Sequence, residues 1–386
     1  SGTPTPARVV AHRVIVRVLE QGAYADRALH GEGAGLDGRE RAFAQRLVYG
    51  AVQRRGTLDH VIAALVERPP PAVARAALQL GLYQLLFLDG VPARAAVSES
   101  VELVKGHRAA GMVNAVLRRV ARDGFELPSD ETPAGAALRH SHPRWLVDLW
   151  WDWLGADEAR ALLAADNEPA EFAVRVNTLV EPDPARLTLP EGPFDAASHP
   201  DLRRGAFVVQ STASQLVAQL VDPQPGERVL DLCAAPGNKT THLAALMGDR
   251  GEVVAYERHP GRAEALRRRC ELLRATCVTV VAADAAQATG TFDRVLLDPP
   301  CSGLGTLQRN PDLRWRMTPE RIEALAAEQR GLLEVARARV APGGRLVYST
   351  CTLSPAEELL DRAGARRTWP HRDGTDGFYI AVEESG

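Results

Sequence analysis

The C-terminal half of the chain alternates short apolar runs with longer amphipathic segments. Short apolar runs between turn residues are typical of buried strands, and apolar positions three and four residues apart are typical of helices. Strands and helices in alternation indicate a doubly wound, Rossmann-like α/β sheet with right-handed connections. We place this domain at 204–386. The predicted strands are 228–232, 253–257, 277–282, 294–297 and 345–348, and the predicted helices are 239–247, 262–273 and 319–340.

The N-terminal part of the chain shows helical spacing only. Val10, Val14 and Val18 recur at intervals of four residues, as on one face of a helix. A strongly apolar segment at 72–88 follows three consecutive prolines and is predicted to be the central helix of a bundle. We therefore predict an all-α domain at 6–125.

Two further segments separate the bundle from the α/β domain. Residues 126–140 are polar and rich in turn residues, so they are predicted to form a linker. Residues 141–203 combine a tryptophan-rich helix with a strand at 172–176, which predicts a small α/β subdomain. His142, at the start of that helix, is interpreted as a capping or packing residue rather than a ligand.

Composition limits the class of protein. A length of 386 residues predicts two or three domains, and 45% hydrophobic residues are typical of globular proteins. No apolar run reaches the roughly 20 residues that a membrane span needs, and the first residues lack a signal-peptide pattern. The five cysteines form no CxxC pair, so neither a zinc site nor a disulfide framework is predicted. We expect a cytoplasmic protein without membrane association or bound metal, and a monomer.

The positive charge of the chain is almost entirely arginine. Lys105 and Lys239 are the only lysines, and basic residues cluster at 54–55, 105–108 and 118–122. Solvated helix faces and GC-rich coding both give such clusters, but arginine side chains also bind phosphates. The net charge of −3 gives no global nucleic-acid signal, and composition leaves both interpretations open.

Acidic residues stand at or near the ends of three predicted strands. They are Asp231, Glu257 and Asp284. The loop after Asp231 is made of small residues and a glycine, which let a ligand approach the backbone. It matches neither a P-loop nor a GxGxxG motif. Three acids without a phosphate-binding loop favour a nucleoside cofactor that has no pyrophosphate, and S-adenosylmethionine fits better than NAD.

Two other predicted strands precede thiols. The strand at 294–297 precedes Asp298 and Cys301, which flank two prolines, and the strand at 345–348 precedes Cys351. A thiolate that adds to C6 of cytosine makes C5 nucleophilic enough to accept a methyl group, and Asp298 can hold the ring at N3. On these grounds either cysteine can be the nucleophile. The remaining cysteines are interpreted as inert core thiols.

The N-terminal residues resemble the NusB-like RNA-binding helical domain. The resemblance is carried by 82–85, 98–105 and 113–117. It implies that residues 6–125 bind RNA.

The motifs at 233–240, 298–305 and 349–352 resemble those of the Sun-type (Fmu-type) RNA cytosine-5 methyltransferases. With the NusB-like part in front, the chain is similar to the bacterial enzymes that methylate one cytosine of small-subunit ribosomal RNA. The resemblance implies a class I methyltransferase fold, S-adenosylmethionine as cofactor, and ribosomal RNA, unassembled or in an early particle, as partner.

The same resemblance implies roles for individual residues. Cys351 attacks C6, Cys301 assists product release, and Asp298 lies in the same catalytic site. The residues implied in cofactor binding are Cys233, Ala234, Ala235, Pro236, Gly237, Asn238, Lys239, Glu257, Arg262, Asp284 and Asp298.

The chain departs from the family pattern at several positions. Asn238 replaces the usual second glycine of the cofactor loop, Ser211 stands where aspartate is common, and Leu359 replaces an asparagine. The stretch at 352–375 is short, so we expect one edge strand to be missing or truncated.

Other functions fit parts of this pattern. The altered cofactor loop is compatible with an RNA-binding assembly factor whose methyltransferase activity is weak or lost. A cytosine-5 methyltransferase that acts on another RNA is a further alternative. Cys301 stands where methyltransferases of amino groups prefer an aromatic residue, which argues against that class.

Overall fold

The computed structural model describes residues 3–192, 199–360 and 363–386, and these form two compact units. The first unit contains the residues up to Asn167 together with Asn310–Arg316. The second contains Glu168–Arg309 and Met317–Gly386. No helix in the described part of the chain is long and apolar enough to cross a membrane.

The first unit is a bundle of helices around one apolar core. α5 lies at its centre, as the apolar segment at 72–88 predicted, and Leu78, Leu80 and Leu82 are fully buried. Gly50 lets the ring of Tyr83 pack directly on the backbone, where a Cβ atom would be 1.9 Å from that ring. The helices are α1 Pro6–Gln21, α2 Ala25–Glu32, α3 Gly38–Gln53, α4 Arg55–Leu65, α5 Ala72–Phe87, α6 Ala93–Glu102, α7 Ala110–Asp123, α8 Pro133–His140, α9 Arg144–Leu154 and α10 Ala156–Ala165.

The segment at 126–140, predicted to be a linker, contains α8. Thr132 caps this helix by accepting a hydrogen bond from the Gly135 N–H, and Pro133 occupies its first turn. The Thr57 hydroxyl of α4 donates to Leu138 O at 2.6 Å, so α8 is bonded to the bundle. The sequence prediction missed this helix because alanines and glycine in 134–137 give little apolar periodicity.

The second unit is built on a seven-stranded mixed sheet and a separate two-stranded sheet. In the large sheet the strand order is β5-β4-β3-β6-β7-β9-β8, with β3 to β7 parallel and β9 antiparallel to β7. This order confirms the predicted doubly wound, Rossmann-like class. The elements are β1 Val174–Val176, α11 Pro200–Arg203, β2 Phe207–Val209, α12 Thr212–Val221, β3 Arg228–Asp231, α13 Asn238–Leu246, β4 Glu252–Tyr256, α14 Pro260–Leu272, β5 Val278–Val281, β6 Phe292–Leu297, α15 Leu313–Arg316 (part of the first unit), α16 Pro319–Arg337, β7 Val340–Thr350, β8 Arg366–Thr368, α17 Pro370–Asp373 and β9 Phe378–Glu384.

Apolar side chains on the two faces of the large sheet build separate cores. Leu346 and Tyr348 of β7 face one core with Leu333 of α16, whereas Val347 faces the other with Val217 of α12. Successive residues of a strand point to opposite faces, so a parallel strand covered on both sides is apolar throughout. The strand β8 at the edge has three residues and pairs with β9, so the expected edge strand is present and short.

The boundaries predicted for the small subdomain, 141 and 203, stay predictions. The structure assigns α9 and α10 to the first unit and the antiparallel pair of β1 and β2 to the second. Within the first unit, His142 is buried, lies 3.1 Å from the Asp166 carboxylate, and meets the Trp150 ring edge-on at 5.9 Å. These contacts confirm its interpretation as a packing residue.

A short segment from the sequence of the α/β domain, Asn310–Arg316, packs in the first unit. The fully buried Arg314 guanidinium donates to Ser141 O at 3.0 Å, Asp166 O at 3.2 Å and Asn167 Oδ1 at 3.0 Å. Trp315 Nε1 donates to Val52 O at 2.7 Å. The helical unit is therefore completed by residues that come after β6 in the chain.

We expect Arg314→Met to lower the free energy of unfolding of the first unit by about 3–5 kcal/mol, because three acceptors, two of them buried carbonyl groups, lose their donor. Urea unfolding followed by tryptophan fluorescence measures this loss. Arg13→Met, at an exposed position of α1, is the control and should change stability by less than about 0.5 kcal/mol. Equal unfolding midpoints for the two variants would show that Arg314 does not stabilise this unit.

Candidate active site

The chemically active side chains of the second unit collect at the carboxyl ends of the parallel strands. Asp231 ends β3, Glu257 follows β4, Asp298 follows β6 and Cys351 follows β7. Ligands of open α/β sheets bind at this edge. A cavity of about 570 Å³ lies here, lined by Leu232, Cys233, Ala235, Tyr256, Glu257, Arg258, Arg262, Asp284, Ala285, Ala286, Asp298, Pro299, Pro300, Cys301, Glu328, Gly331, Leu332, Val335 and Cys351.

The cavity contains most of the residues that the sequence singled out, though not all of them. Ala234, Pro236, Asn238 and Lys239 instead line a smaller cavity of about 60 Å³, together with Asp231, Cys233, Ala235, Ser214 and Asp298. Gly237 lines neither of these cavities. Sequence reasoning missed the contribution of α16, which supplies Glu328, Gly331, Leu332 and Val335, because no motif marks them.

The loop between β3 and α13 depends on Gly237. Its φ of +102° is unfavourable for other residues, and a Cβ atom would lie 2.5 Å from Leu266 Cδ1. The side chain of the next residue, Asn238, accepts a hydrogen bond from Arg269 of α14 and stays out of the larger cavity. The asparagine that replaces a glycine is thus accommodated by a contact with α14.

The other two residues that depart from the family pattern, Ser211 and Leu359, also lie outside the larger cavity. Ser211 caps α12 by accepting from the Ser214 N–H at 3.3 Å. Leu359 packs against the core under the sheet. None of the three substitutions therefore lines the larger cavity.

The three acids at the strand ends differ in their hydrogen-bond and ion-pair partners. Asp231 is buried and accepts from the Thr240 hydroxyl at 2.8 Å, while its Oδ1 has no hydrogen-bond partner in the described part of the chain. Burial raises the pKa of Asp231 to about 7. Glu257 accepts from the His259 N–H at 2.9 Å and forms an ion pair with Arg262 at 3.5 Å. Asp284 caps a short turn through the Ala286 N–H and still lines the cavity.

Asp298 is fixed by two partners. Its Oδ2 lies 2.6 Å from Lys239 Nζ, and its Oδ1 accepts from the Ser349 hydroxyl at 3.0 Å. Burial alone would lower the pKa of Lys239, but the charge and hydrogen bond of Asp298 outweigh this and raise it. The lysine is therefore an ammonium ion, and the carboxylate is held in one orientation.

The two thiols that the sequence singled out are in contact. Cys301 Sγ and Cys351 Sγ are 3.4 Å apart. The hydrogen bond with Cys351, followed by burial, raises the pKa of Cys301 well above its usual value. Burial also raises the pKa of Cys233, of Cys270 to about 11 and of Cys277 to about 12, so these three thiols are poor nucleophiles.

This fold and site define a class I methyltransferase, and comparisons with known proteins give the family. The family model described as 16S rRNA methyltransferase RsmB/F matches residues 218–362, the NusB family model matches 5–122, and a ferredoxin-like domain model of RsmF/B-like methyltransferases matches 142–205. The chain belongs to the RsmB/F family of methyltransferases, and S-adenosylmethionine is its cofactor.

Individual relatives support this assignment over almost the full length. A probable ribosomal RNA small subunit methyltransferase B from Synechocystis is 38% identical over 97% of this chain and 98% of the relative. Its counterpart from Bacillus subtilis is 31% identical over 97% and 98%. The crystal structure of PH0851 is 27% identical with a TM-score of 0.78, and the match covers 99% of both chains.

The residues of the larger cavity fit S-adenosylmethionine. The volume of this cavity is in the range of small-molecule sites, and the carboxylates that line it complement a cationic ligand. We expect Glu257 to hold the ribose hydroxyls and Asp284 the adenine amino group. The unpartnered Oδ1 of Asp231 offers a further acceptor beside the smaller cavity.

We expect Glu257→Gln to weaken S-adenosylmethionine binding by about tenfold to a hundredfold, because hydrogen bonds to a charged group are lost. Isothermal calorimetry without RNA measures this change. Glu252→Gln removes the same charge at the opposite end of β4 and is the matched control. If Glu257→Gln and Glu252→Gln bind S-adenosylmethionine with equal affinity, Glu257 does not hold the ribose hydroxyls.

Proposed function

We propose that this chain transfers a methyl group from S-adenosylmethionine to C5 of one cytosine in small-subunit ribosomal RNA through a covalent bond between a cysteine and C6. The observation that carries the proposal is the contact of Cys301 with Cys351 beside Asp298, at the cavity edge. The relatives from Synechocystis and Bacillus subtilis are named as small-subunit ribosomal RNA methyltransferases, which supports this substrate.

The chemistry requires a nucleophile on the ring before methylation. S-adenosylmethionine, when bound, supplies an electrophilic methyl group, but C5 of cytosine is a weak nucleophile. Addition of the Cys351 thiolate to C6 forms an S–C6 bond and moves electron density to C5. Transfer of the methyl group to C5 would break its bond to the sulfonium sulfur and leave a neutral thioether. A base then takes the C5 proton, the S–C6 bond breaks, and the thiolate is regenerated.

The surroundings of the two thiols favour Cys351 as the nucleophile. The raised pKa of Cys301 keeps it protonated, which suits a residue that assists release rather than attack. The Lys239 ammonium lies near Cys351. The negative charge of a Cys351 thiolate is one of the causes that raise the pKa of Lys239. A nearby cation stabilises the charged form of an attacking thiol.

Asp298 is suited to orient the target base. Each of its carboxylate oxygens accepts one hydrogen bond from the protein, and a second lone pair on each is available. We propose that the carboxylate contacts N3 and the exocyclic amine of cytosine. Because the base must leave its stack to enter the cavity, we expect the substrate to be unassembled ribosomal RNA or an early particle in the cytoplasm.

The NusB family match at 5–122 supports an RNA-positioning role for the first unit. We propose that it contacts phosphates and holds the RNA while the second unit acts on the base. The alternative of an assembly factor without activity gains no support from the altered loop, since Asn238 is bonded to Arg269 and does not line the larger cavity.

The test uses radiolabelled S-adenosylmethionine and unmodified small-subunit ribosomal RNA. We expect Cys351→Ala to lose methyl transfer by at least a thousandfold and to form no covalent adduct, because the nucleophile is gone. Cys301→Ala is expected to accumulate a protein–RNA adduct on denaturing gels, because release is slowed. Cys270→Ala, which removes a thiol outside the larger cavity, is the control.

Other results change the assignment in defined ways. An adduct in Cys351→Ala and none in Cys301→Ala would exchange the roles of the two thiols. Transfer to a different RNA would retain the chemistry and correct the substrate. Failure of the wild-type protein to methylate any cytosine at saturating cofactor would contradict the proposal.

A further inference from the structure

A buried carboxylate lies directly behind the two thiols. Glu357 ends a short 3-10 turn, Pro355–Glu357, six residues after Cys351, and its side chain is fully buried. No lysine or arginine in the described part of the chain forms an ion pair with it. An acid in this setting is stabilised by hydrogen bonds alone, so its donors define what it holds in place.

The donors come from both thiol-bearing loops. Glu357 Oε1 accepts from the backbone N–H of Ser302 at 2.9 Å, and Oε2 accepts from the Ser302 hydroxyl at 2.5 Å. The Thr352 hydroxyl lies 2.5 Å from Ser302 Oγ and 3.4 Å from Glu357 Oε2. Ser302 follows Cys301 in the chain and Thr352 follows Cys351, so one carboxylate binds the residue after each thiol.

Two side chains, from α16 and β7, hold Glu357: one bonds its carboxylate and the other its main-chain carbonyl. Gln329 Nε2 donates to Glu357 Oε1 at 3.0 Å and to Pro300 O at 2.8 Å. The Tyr348 hydroxyl donates to Glu357 O at 2.7 Å and lies 3.1 Å from Gln329 Oε1. The residues before and after Cys301 are thus bonded to the same buried network.

We propose that Glu357 is a positioning residue that ties the loop after Cys301 to the loop after Cys351 and so sets the spacing of the two thiols. This inference rests on the proposed function for its catalytic consequence, because two thiols need a fixed spacing only if they act in sequence on one base. Glu357 touches neither sulfur through its hydrogen bonds and acts through Ser302 and Thr352.

Its charge has a second effect on the site. The groups that face Cys301 are Cys351, Glu357, Asp298 and Tyr348. The hydrogen bond with Cys351 and burial raise the pKa of Cys301 most, and the negative charges of Glu357 and Asp298 raise it further. Glu357 therefore helps to keep Cys301 protonated while its hydrogen bonds fix the loop.

The spacing is tested without RNA or cofactor by oxidation with diamide, which takes two hydrogens from a pair of thiols and leaves a disulfide. Mass spectrometry of peptides follows formation of the Cys301–Cys351 bond with time. We expect Glu357→Ala to slow this reaction at least tenfold, because the loops lose their shared anchor. Glu358→Ala is the matched control, since Glu358 is the next residue, is also buried and pairs with Arg367.

The charge is tested by the pH dependence of alkylation with iodoacetamide, measured separately for each cysteine. Glu357→Gln keeps the shape of the side chain and removes the charge, so we expect the midpoint for Cys301 to move to lower pH. Ser302→Ala keeps the charge and removes one hydroxyl, so it should slow the diamide reaction and leave the midpoint in place. Glu358→Gln is the control for the midpoint.

Methyl transfer connects these readouts with catalysis. Glu357→Gln is expected to lower kcat at least tenfold and to change KM for S-adenosylmethionine by less than threefold, with partial recovery in Glu357→Asp. Equal disulfide rates in Glu357→Ala and Glu358→Ala would overturn the proposal. An unchanged midpoint in Glu357→Gln would remove only the effect of the Glu357 charge on Cys301. If the thiol measurements behave as expected and the wild-type protein methylates no RNA, the positioning role stands and the proposed function fails.

Discussion

The parallel pairing of β6 with β7 is the constraint on which the site depends. Leu297 lies opposite Tyr348 in this register, so the residues that follow the two strands emerge side by side. Asp298 and Ser349 are therefore hydrogen-bonded, and the thiols a few residues further on are in contact although 50 positions separate them in the chain. A slip of one residue would turn alternate side chains to the other face and separate these groups.

A lysine balances the negative charge of this edge on the side of the thiols. Lys239 pairs with Asp298 and lies 5.5 Å from the centre of the Phe378 ring, so both a carboxylate and an aromatic face stabilise its charge. The buried Asp231 is near enough to contribute to the raised pKa of the lysine. The sheet edge thus combines acids for a cationic cofactor with one ammonium ion beside the thiols.

The sequence predicts the sheet and the thiol-bearing loops because both have local signals. Apolar runs mark the strands, and Asp298, Cys301 and Cys351 each follow such a run. The network around Glu357 has no local signal, since Ser302 and Glu357 are 55 positions apart and meet only through the register of the sheet. The helix α8 and the packing of Arg314 were also beyond prediction, because neither segment has an apolar period.

The path of the chain limits how this protein can be divided. Residues up to Asn167 do not contain every part of the helical unit, because Asn310–Arg316 returns to it and brings the buried Arg314. A gene fragment that ends at Asn167 would leave the carbonyl groups of Ser141 and Asp166 without this donor. Recombination between genes could therefore exchange the helical unit intact only if the segment Asn310–Arg316, which lies within the sequence of the α/β domain, were exchanged with it.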